Sequence, residues 1–294
     1  MAVLFLFVKK ILKFLLPHGF VVLLPLIRRY IETSKPKKTL EFEIHLADNC
    51  NLNCKGCGHF SPLVNNRNYL DTNIFKRDMS RLGELCDKKI SRISLMGGEP
   101  LHNPNISEIC TIAREYSTGM IEIITNGLLL DSQPNNFWEV CKKSKINITV
   151  SSYPVKINRE EINKIAQSYG VNIVYRGGDK TRPWSKFVLD IDGKQNYKKS
   201  FYSCPFSNSC IFLKNGNIAT CGLPFYIEHF NNYFDKNLIV QKNDYINIYE
   251  VKNVDEILKF CSKPIKFCRY CNINESDFYK VEWGISKRAI EEWT

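Results

Sequence analysis

The 294-residue chain has no internal repeat, no low-complexity tract and no charge-free apolar run of 18 residues. Those absences exclude a solenoid, a disordered tail protein and an obvious membrane-spanning helix. The longest charge-free stretch, Phe14 to Ile27, is 14 residues and holds Pro17, Gly19 and Pro25, which is short of the roughly 20 a spanning helix needs. Histidine is scarce, with five in all, and His45, His59, His102 and His229 show no spacing that marks a catalytic base. Acidic residues are nearly missing from the first 40 positions, where eight basic side chains face Glu32 alone. That segment carries +7 of the net +11 and leaves +4 for the other 254 residues. The charge therefore belongs to an arm, and nucleic-acid binding is not expected without a recognition module or a long basic helix.

With 44% hydrophobic and 24% charged residues, the rest of the chain can bury a full core. Val8, Ile11, Leu12 and Leu15 fall at helical spacing with Lys9, Lys10 and Lys13 opposite, the pattern of an interfacial helix that lies on a membrane surface. Residues 1–31 are thus expected to form a membrane-surface or partner helix, with a packed core helix and a true anchor as the alternatives, and the proline and lysines of Ser34 to Lys38 read as a linker. From Leu40, strands and helices alternate. The expected elements are strand Leu40–Leu46, a helix after Asp71, strand Ile90–Met96, helix Ile106–Tyr116, strand Met120–Thr125 and helix Asn136–Lys143. Strand Ile146–Val150, a helix opening at Asn158 with Glu161 as capping partner, strand Val171–Tyr175 and strand Phe187–Ile191 complete the series. Such alternation implies a parallel sheet with right-handed crossovers. Five or six units fit before residue 200 and eight do not, so the fold expected is a partial (β/α)6 TIM-like barrel. Beyond Ser200 a hairpin with an Asn215-Gly216 turn lies between cysteines. The domains expected are 1–39 (arm and linker), 40–200 (barrel) and 201–294 (a small cysteine-rich α+β domain).

Twelve cysteines fall in two local groups and several singles. Cys50, Cys54 and Cys57 follow the first strand, at the rim where α/β proteins keep their active sites. A structural zinc wants four closed ligands, whereas three thiolates on a four-iron cluster leave one iron open. His59 is a candidate fourth ligand, and zinc at both cysteine groups of a non-enzymatic interaction protein is the competing reading. Met96-Gly97-Gly98-Glu99-Pro100 ends the second strand; the glycines admit close backbone approach, and the glutamate suits an ammonium better than a phosphate. Cys204, Cys221, Cys268 and Cys271 suit a closed four-thiolate site, with Cys210 a substitute for Cys204. Cys86, Cys110, Cys141 and Cys261 read as packed core thiols. Arg176, Lys180, Arg182 and Trp184 lie where the barrel mouth would meet an anionic substrate, or form a solvated loop.

The Cys-x3-Cys-x2-Cys loop and the Gly-Gly-Glu-Pro segment together resemble the radical S-adenosylmethionine (SAM) superfamily. The resemblance implies a [4Fe-4S] cluster on Cys50, Cys54 and Cys57 whose open iron chelates SAM, and reductive cleavage of SAM to a hydrogen-abstracting 5′-deoxyadenosyl radical. It implies SAM contacts from Gly97, Gly98, Glu99, Pro100, Asn126 and Ser151. Gly56 stands where the family often has an aromatic residue, so adenine packing is expected to fall to Phe60. The second group is similar to the twitch half of a SPASM domain, which implies an auxiliary [4Fe-4S] cluster on Cys204, Cys221, Cys268 and Cys271. Twitch-type dehydrogenases then suggest an oxidoreductase acting on a sugar-like alcohol or glycan precursor, with flavodoxin or ferredoxin as electron donor. A peptide-modifying maturase is the alternative, although residues 1–39 show no winged-helix pattern. Iron–sulfur chemistry places the protein in a reducing, cytoplasmic compartment, with the arm at the membrane's inner face.

Overall fold

The computed structural model describes residues 29–86, 90–177, 186–273 and 282–294. Strand β1 (Leu40–His45) shows how its period of two is used. Leu40, Phe42 and Ile44 are buried in the main core with Phe75, Met79 and Leu82 of helix α1 (Thr72–Cys86), while Glu41 and Glu43 face an internal cavity. The pattern continues through β2 (Ile90–Met96), α2 (Ile106–Tyr116), β3 (Met120–Thr125), α3 (Asn135–Lys143) and β4 (Ile146–Ser151). Helix α4 (Arg159–Tyr169) and β5 (Ile173–Arg176) close the series. Strands β1 to β5 pair in parallel, each beside its predecessor, and the four helices pack side by side in sequence order. Helical crossovers between parallel neighbours give this arrangement.

The fifth strand starts later than expected. Asn158 caps α4 by accepting the Glu161 N–H, and Gly170 ends it at φ +66°. Val171 N–H then donates back to Ala166 O at 2.9 Å, the helix-stop geometry that keeps Val171 out of the sheet.

Phe187–Ile191 is not a sixth strand. Its only ladder contact is an isolated bridge from Leu189 to Cys271, and Leu189 N–H donates to Trp293 O at 2.6 Å. The sixth parallel strand is instead β6 (Phe212–Lys214), on the opposite side of β1, where Glu43 N–H donates to Ile211 O at 2.7 Å. It follows α5 (Tyr197–Ser203) and begins the expected hairpin with β7 (Asn217–Ala219). Asn215 and Gly216 have φ of +49° and +75°, the two positive values a type I′ turn requires. Helix α6 (Leu223–Phe234), strand β8 (Ile246–Asn247) and helix α7 (Val254–Cys261) complete the chain's larger elements. One sheet of order β5-β4-β3-β2-β1-β6-β7-β8 therefore runs from the barrel into the hairpin.

Asp78 on α1 joins these two parts. Its carboxylate accepts Gly216 N–H at 2.6 Å and Tyr249 O–H at 2.6 Å. A second core holds Phe60, Phe201, Tyr226, Phe230 and Trp293 beneath the hairpin and α6. Residues 29–33 are helical. Tyr30 packs on Tyr202 at 4.3 Å, Arg29 donates to the Cys204 carbonyl, and Asn208 donates to the carbonyls of Thr33 and Lys35. The end of the arm thus docks on the C-terminal half. The amphipathic pattern at Val8 to Leu15 lies outside the described residues, among which no helix is long and apolar enough to cross a membrane.

Candidate active site

The cysteine loop is shaped from behind by the glycine pair. Gly98 N–H donates to Ala47 O at 2.7 Å and Glu99 N–H to Asn49 O at 3.0 Å. A β-carbon on Gly98 would sit 2.3 Å from Asn49 O, and Gly97 has φ +147°. The close backbone approach these glycines permit is to the segment entering Cys50. Within the loop, Leu52 N–H donates to Cys50 Sγ at 3.4 Å, and Cys57 N–H to Cys54 O at 3.3 Å. Burial pushes the Cys50 and Cys54 thiols up to about 12, so metal binding must release their protons.

A cavity of about 540 Å³ connects this loop to the barrel lumen. Cys50, Cys54, Cys57, Gly97, Gly98, Asn126 and Ser151 line it together with Glu43, Arg92 and Arg176. Arg92 pairs with buried Glu122, whose carboxylate also accepts from Thr149 at 2.7 Å and Ser94 at 3.0 Å. Burial opposes ionisation of Glu122, but these donors outweigh it and hold the carboxyl below its ordinary value. Glu43 lacks such a cage. Burial lifts its carboxyl to about 7, against a hydrogen bond from the Cys210 thiol and the fields of Arg92 and Arg176.

The other expected SAM contacts are placed differently. Glu99 is fully buried and turned toward the end of β3. It accepts Thr125 O–H at 2.6 Å, Asn126 N–H at 2.9 Å and Leu101 N–H at 3.1 Å, while burial raises its carboxyl to about 7. Pro100 is buried at the start of the 3-10 turn Pro100–His102. Neither lines the cavity. Asn126 does, and its amide donates to Asn51 Oδ1 at 2.7 Å and approaches Cys50 Sγ at 3.8 Å. Phe60 is a correction: it is fully buried in the second core against Phe230 and Trp293. The aromatic side chains that do line the cavity are Tyr153, Phe187, Phe206 and Phe212. Lys180, Arg182 and Trp184 lie outside the described residues; Arg176 faces the cavity.

Two features escaped the sequence reading. Arg92, Ser94, Glu122 and Thr149 form one network, and alternation of polar residues along β2, β3 and β4 was the available signal. The histidines also converge. Asp48 lies 3.7 Å from His45 and 3.4 Å from His229, and His59 meets the His45 ring edge-on at 4.3 Å. Burial works against the Asp48 carboxylate, but the two imidazoles keep it well below the usual range. His59 Nδ1 lies 3.2 Å from Gly97 O, which ties the cysteine loop to the glycine pair.

The second thiol group is assembled from separate elements. Cys204 caps the end of α5, Cys221 lies between β7 and α6, and Cys268 and Cys271 belong to the 3-10 turn Lys266–Tyr270 and its cap. Cys271 N–H donates to Cys268 O at 3.1 Å, which turns the pair to one side. Burial raises all four thiols, and Cys221, Cys268 and Cys271 each also feel the field of Cys204. Cys210 also feels the fields of Cys204 and Cys221, hydrogen-bonds Glu43 and, like Cys221, lines the cavity.

Among the described residues no group of three or more Cys, His, Asp or Glu converges closely enough to hold one metal ion. A lone zinc would draw its four sulfurs within about 4 Å of each other. Each cysteine of a four-iron cluster binds a different iron, so that group takes a wider set of thiols than a lone zinc does.

Comparison with known proteins bears on the barrel first. The Radical SAM superfamily pattern matches residues 44–179. A GTP 3′,8-cyclase from Synechocystis sp. is 24% identical over 154 residues, 52% of this chain and 44% of the relative, so the chain spans less than half of that protein's length. The crystal structure of BtrN in complex with AdoMet and 2-DOIA superposes with a TM-score of 0.51 at 18% identity, over 81% of this chain and 95% of that one. That of anSMEcpe with bound AdoMet gives 0.47 at 14% identity, over 79% and 82%. The BtrN likeness extends the shared fold beyond the barrel into the cysteine-rich C-terminal region. With its three-cysteine loop after β1 and its Gly-Gly-Glu-Pro turn after β2, the segment 44–179 is a radical SAM superfamily core.

Proposed function

We propose that this protein is a radical SAM oxidoreductase that oxidises a small polar molecule, a sugar-like alcohol or glycan precursor. In this reading Cys50, Cys54 and Cys57 hold the SAM-binding [4Fe-4S] cluster, and Cys204, Cys221, Cys268 and Cys271 hold an auxiliary one. The single observation that carries it is the shared cavity, which is bounded by the three-thiol loop at one point and by Cys221 of the second group at another. When bound, the cluster and SAM supply an electron and a hydrogen-abstracting adenosyl radical, and a second cluster can accept the electron left on the substrate.

The chain's own residues do the rest. Gly97, Gly98, Asn126 and Ser151 line the SAM end of the cavity. Phe187, Phe206 and Phe212 supply apolar wall there, the surface an adenine ring would pack on. Arg92, Arg176 and Glu43 give the lumen both signs of charge, which suits hydroxyl and amine groups on a compact substrate. Glu43, with its carboxyl near 7, can take a proton from a substrate hydroxyl. BtrN, the neighbour whose structure holds AdoMet together with 2-DOIA, supports a small substrate by analogy of fold. Iron–sulfur clusters held by thiolates call for a reducing compartment, and the cytoplasm is the location this scheme proposes.

The test is anaerobic reconstitution followed by iron, sulfide and 5′-deoxyadenosine measurement. About eight irons per chain and SAM cleavage support the reading. Zinc in place of iron, or cleavage without either cluster, rejects it. Deuterium transfer into 5′-deoxyadenosine from C-deuterated aminocyclitols, set against that from deuterated peptides, then decides the substrate class.

A further inference from the structure

Residues 282–294 lie along the cysteine loop as an antiparallel strap. Ile285 bridges Cys54, Lys55 N–H donates to Gly284 O at 2.7 Å, and Ser286 N–H donates to Asn53 O at 2.8 Å. The loop is built to receive it. Gly56 has φ +63°, and a β-carbon there would lie 2.7 Å from Glu292 O. The strap therefore fills the space that a side chain at position 56 would take.

Two indoles anchor the strap on the loop. Trp293 is fully buried and donates Nε1–H to Cys57 O at 2.8 Å, a backbone contact that secures the loop. Trp283 is half-buried and donates Nε1–H to the sulfur of Cys54 at 3.2 Å. Its ring lies 6.2 Å from that of Tyr153, which lines the cavity. An indole N–H can only donate, so this contact puts a positive dipole on one ligand sulfur. Hydrogen bonds to sulfur and exclusion of solvent are two of the factors that set an iron–sulfur potential. A donor aimed at a ligand sulfur stabilises the reduced, more negative cluster more than the oxidised one.

We propose that Trp283 is a positioning and tuning residue for the first cluster, raising its reduction potential through the Nε1–H to Cys54 while the strap shields the loop. The inference rests on the assignment of that cluster to Cys50, Cys54 and Cys57. It goes beyond that assignment in giving the segment 282–294 a part in electron entry.

The experiment is an anaerobic redox titration of the full reconstituted chain, following the paramagnetic signal that changes when SAM is added. Trp283→Phe keeps an aromatic ring and removes the donor; it should make reduction about tenfold less favourable, a shift of about 59 mV to lower potential. Trp283→Ala should shift at least as far and also lose the cluster faster in air. An unmoved potential in Trp283→Phe overturns the inference, and so does a shift confined to Trp283→Ala, which would assign the effect to bulk. Should neither variant retain iron at the first site, parent protein carrying 15N-indole tryptophan serves. A nitrogen coupling to the reduced SAM-responsive cluster that persists in equally labelled Trp293→Phe, where the indole on Cys57 O is gone, supports the inference, and its absence from the parent or its loss in Trp293→Phe overturns it. Absence of any SAM-responsive signal in the parent overturns the cluster assignment and this inference together, whereas a signal indifferent to Trp283→Phe overturns the inference alone.

Discussion

The two cysteine groups are built in opposite ways. Cys50, Cys54 and Cys57 sit on one eight-residue loop that follows a single strand. Cys204, Cys221, Cys268 and Cys271 come from a helix end, the exit of a hairpin and a 3-10 turn, spread over 68 positions. The first group needs only the loop to be intact, and the glycine pair, His59 and the strap each brace that loop from a different side. The second group exists only once α5, the hairpin and the Lys266–Tyr270 turn have come together. A cluster at the first site would act on chemistry; one at the second would also staple the fold.

That contrast predicts the largest effects. In Cys54→Ala/Cys57→Ala, iron should fall from about eight to about four per chain and SAM cleavage should vanish, with the far-ultraviolet circular dichroism unchanged. In Cys268→Ala/Cys271→Ala the same amount of iron should go, but the melting temperature should drop and proteolysis around residues 197–222 should accelerate. Equal loss of stability in both variants would erase the distinction between an open site and a staple.

The next effect belongs to the first region. Glu99 is buried with its carboxyl raised from 4.5 to about 7, so its contribution to stability is complete below pH 4.5 and is lost as pH rises through 7. The difference is about 3 kcal/mol. Thermal melting of the parent and of Glu99→Gln from pH 4.5 to 8 should show the parent losing this much relative to the variant. Parallel curves would mean that the three donors around Glu99 compensate its burial in full.

The join between the regions comes third. Asp78→Ala leaves Gly216 N–H without its acceptor at the hairpin turn, and a buried donor left unpaired costs about 2 kcal/mol. Tyr249 is 43% exposed, so its hydroxyl can turn to water. Chemical denaturation measures the loss, which should be accompanied by weaker iron retention at the second site and not at the first.

The contrast also explains what the sequence could disclose. Strands β2 and β3 and helix α2 match expectation to the residue, because each is fixed by its own periodicity and nearby breakers. The three-cysteine loop was legible for the same reason: its determinants are local. Phe187–Ile191 looked like a strand by composition, yet its partners are Trp293 and Cys271, about 80 to 105 positions away, and no local pattern reveals them. Phe60 was misplaced because an aromatic beside a cysteine loop can face either the cavity or the core beneath, and the choice is made by Phe230 and Trp293. The Arg92–Glu122 network was half visible, as polar residues on strands that must turn one face inward. The strap on the cysteine loop was invisible except for one sign: Gly56, which had an explanation only once Glu292 was seen against it.

The smallest effect probes the one local determinant in the second region, the hairpin turn. Gly216 has φ +75°, and a β-carbon there would come within 2.7 Å of the Tyr249 ring. Gly216→Ala therefore meets both a left-handed backbone, worth about 1 kcal/mol for an alanine, and the Tyr249 ring, whose hydroxyl is held by Asp78 and Arg77. If the backbone term governs, the loss is the same in a Tyr249→Ala background, and Gly216→Asn loses less because asparagine tolerates this conformation. If the ring governs, the loss disappears in the Tyr249→Ala background. The first outcome means that the hairpin is set by its own two turn residues before it docks, so that even the long-range cysteine group starts from a locally encoded piece. The second means that the turn depends on its neighbour, and that nothing in the second region is fixed until the tertiary contacts form.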